Sequence, residues 1–190
     1  MTPAAETPAA ETPIGKFSPA MIWIHWIVAA LMIVTIVYGL VSGYATTSEL
    51  TQSAMLVHQS VGTVIFILVF ARVAARFMRP VPPLPPGMPQ YQKVAAAITH
   101  VLLYAALVAF PFTGYLSLAS RGRAVSMFGL FDLPRMVPRS LSTAATATDL
   151  HVIAQWALYA LIALHVVAAL YHQFVVKDGV LMRMWPGRRP

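Results

Sequence analysis

Two histidines near the C-terminus, His151 and His165, lie fourteen residues apart within one strongly apolar segment. Fourteen residues are close to four turns of an α-helix, so both imidazoles project from the same face, about 21 Å apart along the axis. Because the apolar core of a bilayer is about 30 Å thick, a helix crossing it would hold one imidazole near each surface. Histidine inside a membrane is costly and usually functional. Two iron porphyrins stacked across the membrane would need such a pair of imidazoles.

The composition indicates a single integral membrane domain. Of the 190 residues, 58% are hydrophobic and only 10% are charged, which is too apolar for an ordinary soluble domain. The net charge of +7 favours flanks that face the cytoplasm and anionic lipid over binding of nucleic acid. Because the chain has no cysteine, thiolate-bound iron–sulfur clusters and disulfides are excluded, and any haem must be held non-covalently.

Four apolar runs, at residues 19–42, 54–77, 94–118 and 150–176, are each long enough to span a bilayer. They predict an all-α membrane protein, a four-helix transmembrane bundle over residues 17–186. Residues 1–16, with a repeated Thr-Pro-Ala-Ala-Glu unit, predict a disordered tail, and residues 187–190 a basic one. The proline-rich stretch 78–91 predicts an extended connector. The stretch 119–149 has room for a short surface helix.

The distribution of basic residues predicts the orientation in the membrane. Four spans place both termini on one side, which we call inner, and nine basic residues lie there against four on the outer side. This asymmetry favours a multi-pass protein of the bacterial inner membrane, surrounded by lipid, with both termini in the cytoplasm. The outer four are Arg121, Arg123, Arg135 and Arg139.

This topology gives each histidine a depth. The outer level holds only His58 and His151, which form one pair that bridges the second and fourth helices. Two axial imidazoles on one haem iron must come from facing helices, as this pair does. At the inner level depth alone chooses no pair, and the candidates there are His25, His100, His165 and, nearer the surface, His172.

Intramembrane histidines have other roles than haem ligation. They hydrogen-bond across helices, line proton paths, or bind a bare metal ion in pairs. The four runs contain no Asp or Glu between their ends, which disfavours transport of zinc or copper and proton-coupled transport. Five histidines in four helices, with four at two matched depths, favour haem.

Three glycines share the faces of these histidines. Gly39 follows His25 by fourteen residues, Gly114 follows His100 by the same interval, and Gly62 follows His58 by one turn. Helices that surround a porphyrin need positions without side chains to approach it, so these glycines are candidates for the haem surroundings. Ordinary packing of helices through small residues is the alternative.

Together these residues resemble the bacterial cytochrome b561 family of four-helix dihaem membrane proteins, over about residues 17–186. The resemblance implies two b-type haems, the inner one between His25 and His165 and the outer one between His58 and His151. The matching motifs are His25-Trp26, His58 with Gly62, Arg72 and Arg76, His100-x-x-x-Tyr104, Phe110-Pro111-x-x-Gly114, and His151, His165 and His172 before Lys177-Asp178-Gly179 and Met182-x-Met184-x-Pro186.

The resemblance also implies roles for residues around the haems. His100 becomes a non-ligand that contacts a propionate or packs the inner haem. Arg72 and Arg76 are candidates for pairing with the inner propionates, or are topology anchors. A quinone site needs a flat apolar slot with polar groups near the carbonyls. Its inner-side candidates are His172, Lys177 and Trp185, of which His172 could instead snorkel to the interface or bond a propionate.

The implied activity is that of a superoxide:quinone oxidoreductase, with electrons passing from superoxide outside, through the two haems, to ubiquinone. Superoxide is an anion, so the four outer arginines would collect it by electrostatic steering. Any one of them alone is more readily explained as a solvated residue or one that binds lipid phosphate. One alternative is a membrane cytochrome subunit between a dehydrogenase or small periplasmic redox partner and quinone. Another is a haem-free membrane scaffold or transporter. The sequence leaves the oligomeric state open.

Overall fold

The computed structural model describes residues 15–79 and 81–187, and within them four long helices dominate. These are α1 (Pro19–Tyr44), α2 (Ser48–Met78), α3 (Gln90–Ser120) and α4 (Leu141–Tyr171). Each is long and apolar enough to cross a membrane, which confirms the predicted four-helix bundle. Of the predicted tails, residues 1–16 and 187–190, all but residues 15, 16 and 187 lie outside the described residues.

Side-chain caps mark where three of the helices begin, and two of these helices, α2 and α4, begin before their apolar runs. Ser18 caps α1 just before Pro19, and Thr47 and Ser140 cap α2 and α4, each accepting a bond from a backbone N–H in the first turn. Because Ser140 caps α4, the helix begins at Leu141, nine residues before the predicted start at residue 150. His151 therefore lies in the third turn of α4 and does not open it.

The prediction for residues 119–149 was wrong. Where we expected a short surface helix, the chain forms a hairpin of β1 (Val125–Met127) and β2 (Phe131–Leu133), paired antiparallel. The turn between them needs left-handed backbone at Phe128 and at Gly129, with φ of 53° and 73°. The proline-rich connector before α3 is non-helical, as predicted.

The bundle consists of two closely packed helix pairs, α1 with α2 and α3 with α4, which are joined by α2 against α3. Val28, Val61 and Ile65 form the buried apolar core between α1 and α2. Neither α1 nor α2 packs its backbone extensively against α4 within the described part of the chain. Among the described residues, histidine side chains reach across this gap.

The inner end of the bundle is closed by the segment that follows α4. A π-helical turn (His172–Val176) and a 3₁₀ turn (Leu181–Arg183) fold the chain back. The buried Arg183 guanidinium donates to the carbonyls of Gly15 and Pro82, at 3.2 and 2.6 Å, and lies over the Phe17 ring. Burial lowers the pKa of Arg183, and the nearby Asp178 acts in the opposite direction. Arg183 thus ties three distant segments together.

Candidate functional site

The two outer histidines meet across the gap between the helix pairs. The ring centroids of His58 and His151 are 5.9 Å apart with planes at 78°, and both rings line a cavity of about 230 Å³. Two imidazoles that bind one metal from opposite sides through bonds of about 2.0 Å have ring centres about 6.4 Å apart. The separation of these rings is therefore close to what a shared metal centre needs.

Hydrogen bonds define which nitrogen of each outer ring is free. His58 Nδ1 donates to the carbonyl of Thr35 at 2.7 Å, and His151 Nδ1 donates to the carbonyl of Phe110 at 3.1 Å. A carbonyl only accepts, so each Nδ1 carries the proton and each Nε2 keeps a lone pair in the neutral ring. Metal-binding histidines are oriented in this way by a second partner. The hydroxyls of Thr35 and Thr113 lie within 3.2 Å of the same Nδ1 atoms.

The glycines selected from the sequence all line this cavity, but their nearest neighbours are not equivalent. A Cβ on Gly39 would lie 2.8 Å from His58 Nδ1, which is too close, whereas one on Gly114 would lie 3.5 Å from His151 Cε1. A Cβ on Gly62 would meet only the Thr35 hydroxyl, at 3.9 Å. Gly39 therefore makes room for an imidazole ring, a need distinct from the approach of a porphyrin that we predicted.

Three histidine rings cluster at the inner level, with His165 between the other two. Its ring centroid lies 6.1 Å from that of His25 and 5.4 Å from that of His100. Both candidate partners predicted from depth are therefore within reach of His165. The resemblance selects His25, and the assignment of the inner pair stays a prediction. No group of three or more His, Cys, Asp or Glu side chains suited to a bare metal ion occurs among the described residues.

Arg72, on α2, bonds a histidine of the inner cluster on α1 and a tyrosine on α3. Its Nη1 donates to His25 Nδ1 at 2.7 Å and its Nε to the Tyr104 hydroxyl at 2.9 Å. Because a guanidinium only donates, the neutral His25 ring carries its proton on Nε2, unlike the outer rings. Metal binding through Nε2 of His25 requires this proton to leave or Arg72 to turn away. Arg76 lies one turn further on and is exposed.

The predicted outer arginines separate into one anchored residue and a surface group. Arg121 Nη1 donates to Ser117 Oγ at 2.5 Å and to Thr148 Oγ1 at 2.9 Å, at the rim of the outer cavity. Gly122, with φ of 80°, turns the chain so that Arg135 and Arg139 lie against it. The remaining basic residue of this turn, Arg123, is exposed.

The inner-surface candidates are also divided between two places. Trp185 packs edge-on against Trp26, with ring centroids 5.4 Å apart, and with Pro186 they line an apolar slot that is open to the surface. Trp26 Nε1 donates a 2.6 Å hydrogen bond to the Met184 carbonyl beside this slot. His172, in the π-helical turn, instead bonds the carboxylate of Asp178. Lys177 follows this turn and has left-handed backbone with φ of 58°.

Sequence reasoning missed several partners in this site. The carbonyls of Thr35 and Phe110 carry no signal in the sequence, because every residue has a carbonyl. Asp178 had a signal, since few acidic residues occur in the chain. It stood in a matched motif, but no role was inferred for it.

Comparison with known proteins is consistent with this geometry. A family model described as prokaryotic cytochrome b561 matches residues 16–187. Cytochrome b561 homolog 1 of Escherichia coli (strain K12) is 30% identical over 177 residues, which cover 92% of this chain and 99% of the relative. A probable superoxide oxidase, CybB of Yersinia pestis, is 32% identical over 174 residues, covering 92% and 98%. Cytochrome b562 of Cereibacter sphaeroides is 28% identical over 173 residues, covering 88% and 94%.

Proposed function

The chain belongs to the prokaryotic cytochrome b561 family, and from this premise we propose that it oxidises superoxide at the outer membrane surface and reduces ubiquinone. Membership of the family makes it a multi-pass bacterial membrane protein of electron transfer, for which b-type haem is the expected cofactor. The proposal adds two haems, their ligands, the two substrates and the orientation with both termini in the cytoplasm. The observation that carries it is the pair of histidine clusters at two depths in one gap.

The outer cluster fits a haem by its donor chemistry. His58 and His151 offer two Nε2 lone pairs in one apolar cavity, and backbone carbonyls hold both rings in that tautomer. The inner cluster fits through His25 and His165, provided that Arg72 turns from His25 towards an anionic group such as a propionate. When bound, the two haems supply one-electron oxidation and reduction. Cofactors provide such chemistry, and the protein provides ligation, orientation and access.

The outer arginines support superoxide as the electron donor. Arg135 and Arg139 lie together against the Gly122 turn, near the rim where Arg121 is anchored. Positive charge at the mouth of a cavity raises the local concentration of an anion and its rate of encounter. The relative named as a probable superoxide oxidase adds to this support.

The inner surface supports a quinone as the electron acceptor. The slot of Trp26, Trp185 and Pro186 is apolar and suits a flat ring. His172, which begins the π-helical turn, and Lys177, which follows it, supply polar groups at the same end of the bundle. Arg183 keeps this end closed by its bonds to the N-terminal lead and to the connector before α3.

A reduced-minus-oxidised spectrum of the purified protein, with haem quantified per chain, is the first test. We expect two b-type haems per chain and one in His151→Ala. Superoxide should then reduce the haems, and ubiquinone should oxidise them. A colourless protein from haem-sufficient cells would overturn the proposal. Two haems that superoxide does not reduce would instead favour an electron-transfer subunit served by a dehydrogenase or a small periplasmic redox protein.

A further inference from the structure

The hairpin of β1 and β2 presents an apolar tip that no other described residue covers. Phe128, Leu130 and Phe131 are 50%, 81% and 59% exposed, and residues 128–131, Phe-Gly-Leu-Phe, carry no charge. The first strand is packed, by contrast, since Val125 and Met127 are both buried. An exposed apolar cluster of this kind marks a site of interaction. Its position in the molecule indicates with what.

The contacts of the tip with α2 place it at the depth of lipid. The Phe128 N–H donates to Ser60 Oγ at 2.8 Å, and Leu56 lies beside Gly129. The 31 residues of α2 form a rod of about 46 Å, whereas the apolar core of a bilayer is about 30 Å thick. Even if the whole excess of about 16 Å protruded at the outer end, Ser60, about 18 Å from that end, would lie inside the core. The tip therefore lies at the outer boundary of the hydrocarbon.

Two polar residues of α2 supply the hydrogen bonds that such a position demands. Hydrocarbon offers no partner to a backbone N–H or carbonyl, so a non-helical segment at this depth must find its partners in the protein. Gln59 Nε2 donates to the Ser126 carbonyl at 3.1 Å. Ser60, which is fully buried, accepts the Phe128 N–H. Gln59 and Ser60 interrupt the apolar run of α2, and their bonds to the hairpin account for them.

We propose that the tip of the hairpin, residues 128–131, is a lipid anchor that inserts among the acyl chains of the outer leaflet. The tip continues the lipid-facing surface of α2 and α3, since β1 packs against both helices. Its uncharged side chains suit hydrocarbon. The exposed Asp132 that follows needs water or lipid headgroups, so the insertion is limited to the tip. This inference depends on the membrane bundle alone and is independent of the substrates.

The anchor also bears on the outer cavity. Val125 of β1 lines this cavity beside Gln59 of α2. Because β1 contacts both α2 and α3, the hairpin covers the seam between these two helices at the level of the outer histidines. A tip held in the lipid keeps Val125 against this wall of the cavity.

The absence of cysteine from the chain allows a test with single thiols and no background labelling. The full chain is placed in lipid nanodiscs, which are open to water on both sides, and labelled with a charged maleimide or with an apolar one. Leu130→Cys reports on the tip, and Phe131→Cys is a second tip position. Arg123→Cys is the exposed control in the same loop, and Ile33→Cys is the exposed control in the middle of α1.

The measured quantity is the ratio of the apolar to the charged labelling rate. A bilayer excludes a charged group roughly 100-fold and concentrates an apolar one. For a tip at the boundary of the hydrocarbon we expect a ratio at least about tenfold above that of Arg123→Cys, and closer to that of Ile33→Cys. Each variant is also labelled in dodecyl sulfate, to show that its thiol is reactive once exposed.

Two outcomes overturn the proposal. If both tip variants give the ratio of Arg123→Cys, the tip lies in water, and the patch is a surface for a protein partner instead. If both reagents label the tip slowly, yet label it fully in dodecyl sulfate, protein covers it, as a second copy of the chain would. Because Leu130 is the most exposed residue of the tip, its replacement should leave the helical circular dichroism of the folded protein unchanged.

Discussion

Replacing Gly39 by alanine tests whether this glycine serves the outer histidine. The new Cβ would lie 2.8 Å from His58 Nδ1 and 2.9 Å from its Cε1, where ordinary contacts begin at 3.4 Å. The ring must therefore retreat by about 0.6 Å, which lengthens its 2.7 Å bond to the Thr35 carbonyl to about 3.3 Å, outside the usual range.

The cost of this displacement follows from two terms. Overpacking a well-packed interior costs about 1–3 kcal/mol, and loss of a hydrogen bond costs about 0.5–1.5 kcal/mol. Since about 1.4 kcal/mol is a factor of ten, a combined cost of about 2 kcal/mol or more weakens binding of the outer haem at least about 30-fold. The proposed inner haem would be held by other ligands and should be retained.

Haem per chain and the reduced-minus-oxidised spectrum measure this selectively, with two glycine variants as controls. Gly43→Ala lies one turn further along α1, where a Cβ meets nothing within 4 Å, and should retain both haems. Gly114→Ala meets His151 at an ordinary 3.5 Å and should show a small effect. If Gly39→Ala keeps two haems and the spectrum of Gly43→Ala, the assigned role of this glycine is wrong.

Three further predictions concern the surroundings of the site. Ser60→Ala removes the buried hydroxyl that accepts the Phe128 N–H at 2.8 Å, so it should destabilise the hairpin by about 1–3 kcal/mol, seen as faster amide exchange there with unchanged haem content. Arg183→Met should lower Tm because two carbonyls lose a charged donor, and Arg183→Lys, which can reach only one of them well, should fall between; equal Tm values would contradict the clamp. Arg135→Gln with Arg139→Gln should slow haem reduction by superoxide several-fold and flatten its salt dependence, whereas the inner Arg79→Gln should not.

The helices and their membrane character were predictable because they depend on local properties of the chain. A run of about 20 apolar residues is sufficient to identify a span, and each predicted run overlaps an observed helix over most of its length. The beginnings of α2 and α4 were less accessible, since polar turns with Thr47 and Ser140 as caps continue a helix beyond its apolar part. The hairpin was missed because its three-residue strands have no periodicity long enough to detect.

The pairing of His58 with His151 followed from the sequence, because helical periodicity and alternating topology assign each residue a face and a depth. The sequence could not indicate the partners of those rings, since the carbonyls that orient them belong to residues 23 and 41 positions away. It also could not distinguish the close contact at Gly39 from the loose one at Gly114, which depends on tenths of an ångström in the packing of α1 against α2.

By itself, then, the sequence determined the bundle, the two levels of histidine and the family, because spans and helix faces are local and periodic properties. Only the tertiary structure decided that Arg72 reaches His25, that Arg183 joins three segments, and that Asp178 bonds His172. These contacts depend on how separate helices and turns are packed together, and hydrogen-bond partners at that distance along the chain leave no pattern in a single sequence.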